Sequence, residues 1–174
     1  MFDFGIAGYR PAWLQGRPAI EAAHGQRLAA LAGRRLTGVW LVWDLDDDSW
    51  FADCPVVLDF AGERVEVNHQ KCDDLSITWN SVDPATPVSW PTSDDFRLAW
   101  RSEPLPELAA LPGRRLRAAG LAEWRGSPGD LANGSVGVVF AFDDGELVVY
   151  NALDENALTF GPPDRIRWVR RGSW

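Results

Sequence analysis

Cys54, His69 and Cys72 are the residues whose types best suit metal chemistry. Two thiolates and an imidazole supply three ligands of a catalytic-type zinc site with an open fourth position. The letters between them read as a hairpin turning at Gly62-Glu63. That turn sets residues 54 and 71 opposite one another and allows the three side chains to gather at the open end. The spacing follows no compact zinc pattern, and a half-buried histidine with two inert thiols explains the same residues. The expectation is no cofactor and no metal, with these three as the candidate ligands should a metal bind.

The acidic run "WDLDDDSWFAD" (Trp43–Asp53) offers a different chemistry. Asp44, Asp46 and Asp48 resemble the first ligands of a calcium loop. Ser49, however, stands where that loop needs glycine, and no glutamate occupies its twelfth position. Flanked by Trp43, Trp50 and Phe51, the acids Asp46, Asp47 and Asp48 suit recognition of a cationic partner. Aromatic rings bury much area at small rotamer cost, and carboxylates select positive charge. A solvated loop over buried tryptophans is the competing reading.

Two further patterns bear on chemistry. Arg34-Arg35 recurs as Arg114-Arg115; four guanidinium forks can hold an anion, or they can pair with Asp3, Asp83, Asp95 or Asp164 at strand ends. For nucleophilic catalysis the chain offers only His24 and His69, with no serine or cysteine elbow. The glycine-rich "GSPGDLANGSVG" (Gly126–Gly137) lacks the lysine and helix of a phosphate-binding loop and reads as a turn. No catalytic residue is assigned.

The elements that must position these residues are duplicated. "LAALAGRRL" (Leu28–Leu36) returns as "LAALPGRRL" (Leu108–Leu116), and four flanking stretches match in the same order. They are "DFGIAGYR" with "DFRLAWR", "VVLDFAGERVEV" with "VVFAFDDGELVV", "SITWN" with "ALTFG", and "VSW" with "IRW". Phe60 falls on Phe142 and Val67 on Val149. The matched segments alternate as strands, with Val56, Leu58, Phe60, Val65, Val67 and His69 on one face. Val138, Phe140, Phe142, Leu147 and Val149 answer them in the second copy. Hairpin turns are expected at Gly62-Glu63 and Asp144-Gly145. Helix is minor, confined to Ala19–Leu31 and a turn at Pro106–Leu111. The expected fold is therefore mainly β: two tandem pseudo-symmetric antiparallel repeats, 3–91 and 95–169, packed as one barrel- or sandwich-like body. Asp83–Asp95 is the connection.

Composition bounds the function. The chain has 174 residues, 46% hydrophobic and 24% charged, which is enough for a folded core. A net charge of −8 repels phosphate backbones and argues against nucleic acid. No basic leader precedes an apolar run and no run is long enough to span a bilayer. Two cysteines agree with a reducing compartment, so a cytoplasmic location is expected, without membrane association.

The combination "GRRL…FxxGxxVEVNHQ…LSITWN" resembles an uncharacterised family of tandem-repeat β-proteins from high-GC, actinobacterial-type bacteria. That resemblance spans most of the chain and implies no activity. The expected function is non-catalytic binding of a protein or peptide, basic in character, through the aromatic-acidic loop; an immunity-type protein is one specific version. The alternative is a small-ligand binder or enzyme that uses the seam between repeats or a metal at Cys54, His69 and Cys72.

Overall fold

The computed structural model describes residues 3–90, 96–162, 164 and 166–170. The protein is mainly β, 42% strand and 11% helix, with two antiparallel sheets packed as a sandwich-like body, one of them a half-barrel. The first sheet contains β1 (Trp13–Leu14), β2 (Gly38–Asp44), β3 (Ser49–Trp50), β4 (Val56–Phe60), β5 (Glu63–Gln70), β6 (Asp74–Trp79) and β7 (Leu98–Ser102). Its order is β1-β6-β5-β4-β2-β3, with β7 on the other edge of β2. The second contains β8 (Ala118–Trp124), β9 (Val136–Phe142), β10 (Gly145–Asn151), β11 (Asn156–Gly161) and β12 (Trp168–Val169), in the order β11-β10-β9-β8-β12. The boundary residues Pro91 and Asp95 and the end of the connection lie outside the described residues.

The alternating apolar letters behave as their period demands. Val56, Leu58, Phe60, Val65 and Val67 meet Val138, Phe140, Phe142, Leu147 and Val149 in one core, and Phe60 stacks on Phe140 at 5.6 Å. The ladders of the two sheets share a register. Val56 pairs with Val67 as Val138 pairs with Val149, Trp40 with Val57 as Gly120 with Val139, and Val67 with Ile77 as Val149 with Leu158. Both hairpins turn one residue earlier than the glycines suggest, because the closing pairs are Phe60–Glu63 and Phe142–Gly145. In the first, Ala61 and Gly62 both take positive φ, and Asp59 Oδ1 accepts the Gly62 N–H at 2.7 Å. A carboxylate three residues before the glycine, rather than the glycine alone, places this turn.

Two stretches matched by sequence occupy different places. Ile6 crosses the outer face of the first sheet and bridges Val88, whereas Leu98–Ser102 runs as β7 along β2. Trp168 pairs with Trp124, while Val88 belongs to the outer cover. Phe4, Ile6, Tyr9, Val82 and Val88 thus form a second apolar layer over Val42, Cys54 and Val57, with Trp13, Trp40, Phe51, Trp90 and Trp100 packed against it. Trp13, Trp40 and Trp90 of the first half contribute to this layer, whereas Trp50 and Trp79 pack on the main core. Under it, Glu66 is buried and accepts hydrogen bonds from Thr78 Oγ1, Ser81 Oγ and N–H, and Val82 N–H. A buried carboxylate with every acceptor used pins the covering segment to β5. The helical stretch is α1 (Arg17–Ile20), a π turn (Glu21–Gly25) and α2 (Gln26–Ala29); a single turn, α3 (Pro106–Ala109), is its short counterpart.

The duplicated Gly-Arg-Arg-Leu segments pair with each other. Gly33 N–H donates to Leu116 O at 2.7 Å and Gly113 N–H to Leu36 O at 2.8 Å. Leu36 N–H donates to Arg114 O at 3.0 Å and Leu116 N–H to Arg34 O at 2.8 Å. Arg35 and Arg115 face each other in an antiparallel bridge at the centre. Gly33 and Gly113 reach these bonds at φ +85° and +88°, a left-handed conformation that an L side chain adopts at a cost, although neither has a neighbour near the missing Cβ. Gly33→Ala and Gly113→Ala are therefore each expected to lower the unfolding free energy by about 1–2 kcal/mol through backbone strain alone. Urea titration of the two variants checks this: equal losses are expected, and an unaffected midpoint in either refutes it.

Candidate functional site

Of the residues expected to recognise a partner, several are structural. Trp43 is only 8% exposed, and its indole N–H donates to Asp48 Oδ1 at 2.9 Å. Arg101 from β7 bonds the same Asp48 oxygen at 2.8 Å and lies 5.1 Å over the Trp43 ring. The indole bond first, then the guanidinium, hold the Asp48 carboxyl below the usual carboxylate range. In the second half Trp124, one place past the register equivalent of Trp43, donates to Asp130 Oδ2 at 2.9 Å, and Arg167 stands 5.7 Å over its ring. Each indole N–H thus ties an aspartate of the following loop to its strand. Asp46 pairs with Arg97 at 2.8 Å, whereas no ion pair of Asp47 occurs among the described residues. Asp44, buried, accepts the N–H groups of Asp46 and Asp47, which curls the run into a turn.

Trp50 and Phe51 point into different layers. Trp50 is half-buried against the main core between the sheets, and its indole nitrogen is buried without a hydrogen-bond partner. Phe51 packs against the outer layer, edge-on to Trp90 at 4.8 Å and to Phe96 at 5.1 Å. This aromatic string reaches the surface: Phe96 is 40% exposed and Leu45 37% exposed. Between them runs a groove of about 370 Å³ lined by Leu45, Trp90, Phe96 and Arg97. Its rim carries the Asp46–Arg97 pair. Leu45, Trp90 and Phe96 were not singled out by sequence; Phe96 and Trp90 border the loop only because β7 returns to β2.

The three metal candidates do not converge. Cys54 is buried in the outer layer, where burial raises its thiol pKa, and Cys72 is exposed in the turn after β5. His69 turns the other way, into the space between the sheets. Its Nδ1 lies 3.1 Å from Asn156 Oδ1 and its Nε2 3.1 Å from Val136 O. Among the described residues no group of three or more histidine, cysteine, aspartate or glutamate side chains is placed to hold a metal. Asn156 is the centre of this region. Its Oδ1 accepts the His69 backbone N–H, and its Nδ2 lies within hydrogen-bond distance of Ala52 O, Cys54 O and Asn68 Oδ1. Those carbonyls fix which way the amide points. A neutral imidazole donates from one nitrogen only, so one of its two acceptors is left without a proton. Burial nevertheless dominates and pulls the His69 pKa down to about 4.

The seam between the sheets is packed by Phe60, Phe140, Leu58 and Leu121. The arginine pairs at the axis take local partners. Arg35 donates to Gly113 O at 2.6 Å, Arg34 to Phe60 O at 3.4 Å, and Arg114 to Asp144 at 2.5 Å. Asp83 instead pairs with Arg64, and Asp164 caps the N–H groups of Ile166 and Arg167; Asp95 lies outside the described residues. No helix among the described residues is long and apolar enough to cross a membrane. In comparison with known proteins, no family model matches the chain, and no curated protein and no solved structure matches it.

Two outcomes are expected. His69 is neutral when folded down to about pH 4, whereas in the unfolded chain it takes up a proton near 6.5. The unfolded state therefore binds more protons in between. The stability from keeping the ring neutral is complete above that upper value and is lost as pH falls, by up to about 3 kcal/mol. Unfolding free energies of wild type and His69→Gln should converge from about pH 7 to about pH 4; a constant gap refutes the buried neutral histidine. Trp50→Ala should cost about 2–4 kcal/mol in the same assay, and a near-zero change would place Trp50 on the surface instead.

Proposed function

We propose that this is a non-catalytic, cytoplasmic binding protein that recognises a protein or peptide beside the Trp43–Asp53 loop. The contact surface is Leu45, Phe51, Trp90 and Phe96, with Asp46 and Asp47 at its edge. Trp43 and Trp50 anchor the loop from beneath, and the exposed Asp48 carboxylate stands over it, bonded to Trp43 and Arg101. The observation that carries this reading is the exposed aliphatic-aromatic groove framed by charge. Exposed aromatic and aliphatic side chains set among polar and charged ones make the mixed surface typical of a protein interface.

Electrostatics supports a basic partner. The chain carries a net charge of −8, and Asp47 has no internal counter-ion among the described residues, so its charge is available for steering. An immunity-type protein that neutralises a basic toxin is the specific version of this reading; acidity and the aromatic groove are what support it. The resemblance to high-GC bacterial proteins adds no activity. We infer also that the two sheets descend from one duplicated unit, supported by their shared register and by the self-pairing of the Gly-Arg-Arg-Leu segments.

Affinity capture from the host lysate tests the surface. Wild type, Phe96→Asp and Asp47→Lys are compared at about 0.05 M and about 0.5 M salt, a range over which exposed charge is strongly screened. A partner captured by wild type should be lost with Phe96→Asp and weakened by Asp47→Lys and by salt. Both variants should keep the wild-type melting temperature. If the same proteins survive both substitutions and both salts, or if none is captured, the groove is not the binding surface.

A further inference from the structure

The outer faces of the two sheets share a ladder but are finished differently. Over the first, one continuous segment does two jobs. Tyr9 lies buried over the face with its hydroxyl beside Asn68 and Ser76, and a few residues later Trp13 and Leu14 pair with Ser76 and Leu75 at the edge of β6. By register, Asn68 corresponds to Tyr150 in the second sheet and Ser76 to Ala157. There the stretch matched to the first segment has gone to the first sheet as β7. The described cover of the second outer face is the return segment into β12.

What remains open is a cleft of about 200 Å³ walled by Trp124, Val148, Tyr150, Thr159, Phe160 and Trp168. Trp168 seats against Gly137, where a Cβ would come within 2.9 Å of its ring. Trp124 and Tyr150 stand edge-on to it at 5.1 and 5.4 Å. The walls are thus held by ring packing and by the absence of a side chain at Gly137, so the cleft is formed before anything enters it. Its volume falls below the ~300 Å³ at which small-molecule and cofactor sites begin, and is of the order of one large side chain. Charge narrows the occupant further. Of the two lining carboxylates, Glu146 is paired with Arg170, each side chain 3% exposed, and the exposed Asp164 is engaged by the N–H groups of Ile166 and Arg167. Arg167 already covers the Trp124 ring. A neutral aromatic side chain fits this cleft better than a cation.

The edge beside the cleft is open as well. β11 is the last strand of its sheet among the described residues. Asn156 N–H points away from β10 to Ala52 O. Since direction alternates along an antiparallel strand, Leu158 and Phe160 turn their N–H and C=O groups outward too. Such an edge is a template for an added strand.

We propose that the cleft and the β11 edge together form a docking site for an extended segment of a partner protein. The segment adds as a strand to β11 and seats one neutral aromatic side chain among Trp124, Tyr150 and Trp168. The precedent is this chain's own residues 9–14, which supply an aromatic ring and an edge strand to the first sheet. The site is separate from the groove at Phe96, so the two proposals stand or fall independently.

The probe is a phage-displayed library of random peptides about twelve residues long, panned on immobilised full-length protein, with Thr159→Arg as the counter-target that plugs the cleft. Enriched peptides are expected to share one aromatic residue in an alternating, strand-like context and to bind wild type at least about tenfold more tightly than the variant. Amide exchange at Leu158 and Phe160 should slow in the complex. Tyr150→Ala, which removes a wall, serves the same comparison if Thr159→Arg fails to fold. The proposal is overturned by enrichment indifferent to the cleft variant, by peptides without a common aromatic, by unchanged exchange along β11, or by absence of enrichment. It is also overturned if p-cresol alone binds as tightly as the best peptide, which would make the cleft a small-molecule site.

Discussion

Where the two Gly-Arg-Arg-Leu segments meet, each donates to and accepts from the other, and that reciprocity sets the relation of everything else. Gly33 and Leu116 exchange places with Gly113 and Leu36 under a pseudo-two-fold axis, the self-complementary pattern of an isologous contact. Leu36 and Leu116, fully buried on either side of it, carry the chain directly into β2 and β8. Those strands then present Val39 and Leu41, Ala119 and Leu121 to the common core. Two sheets started from one axis must face each other, and the alternation of their strands decides which side chains meet. The stacked Phe60 and Phe140 are a consequence of that constraint. The cost is local: two arginines stand opposite each other at the bridge, tolerable because both are exposed and water screens them.

With the inner faces committed to each other, the outer faces are free to differ, and they do. On the first sheet the residues opposite the core letters are Glu66, Asn68 and Ser76, all buried beneath Tyr9 and the 81–90 segment. Glu66 and Ser76 are bonded by the residues that cover them, Ser81, Val82 and Ala12, whereas Asn68 bonds Asp53 O and Asn156, so covering and polar burial are coupled at the first two. On the second sheet the corresponding residues are Val148, Tyr150 and Ala157, and among the described residues Trp168, seated on Gly137, and Arg170, paired with Glu146, cover it. One face is closed by its own chain; among the described residues the other keeps an aromatic cleft and an unpaired β11 edge.

The loop from Trp43 to Asp53 shows the same division of labour at smaller scale. Asp48 is held by the Trp43 indole N–H and by Arg101 of β7, Asp46 by Arg97 just before that strand, and Asp44 accepts the backbone N–H groups of Asp46 and Asp47, while Trp50 anchors the loop to the main core. At its far end Ala52 O accepts Asn156 N–H, tying the loop of one sheet to the first residue of β11 in the other. Its acids from Asp46 to Asp48 face solvent, and on its flank Leu45 and Phe96 meet across a groove.

Periodicity and repetition in the letters determined the mainly β class, the inward sets around Phe60 and Phe142, the hairpin pairs and the match between ladders. These depend on a period of two and on neighbours in sequence, so they are written locally. Tertiary structure alone decided where β7 goes, because a strand's backbone groups can pair with any open edge and its sequence match to residues 3–10 says nothing about which. It also decided that Glu66 and Asn68 are buried, since an outward-facing polar residue reads as solvated until a distant segment lands on it. His69, a candidate ligand with Cys54 and Cys72 only should a metal bind, turns into the space between the sheets, where Asn156 and Val136 O meet its ring, while Cys54 packs in the outer layer and Cys72 sits exposed in a turn. Phe96 and Trp90 became part of a surface, and Trp43 part of a clasp, for the same physical reason: burial and partnership are set by what packs on a residue, and that is not encoded in its neighbours along the chain.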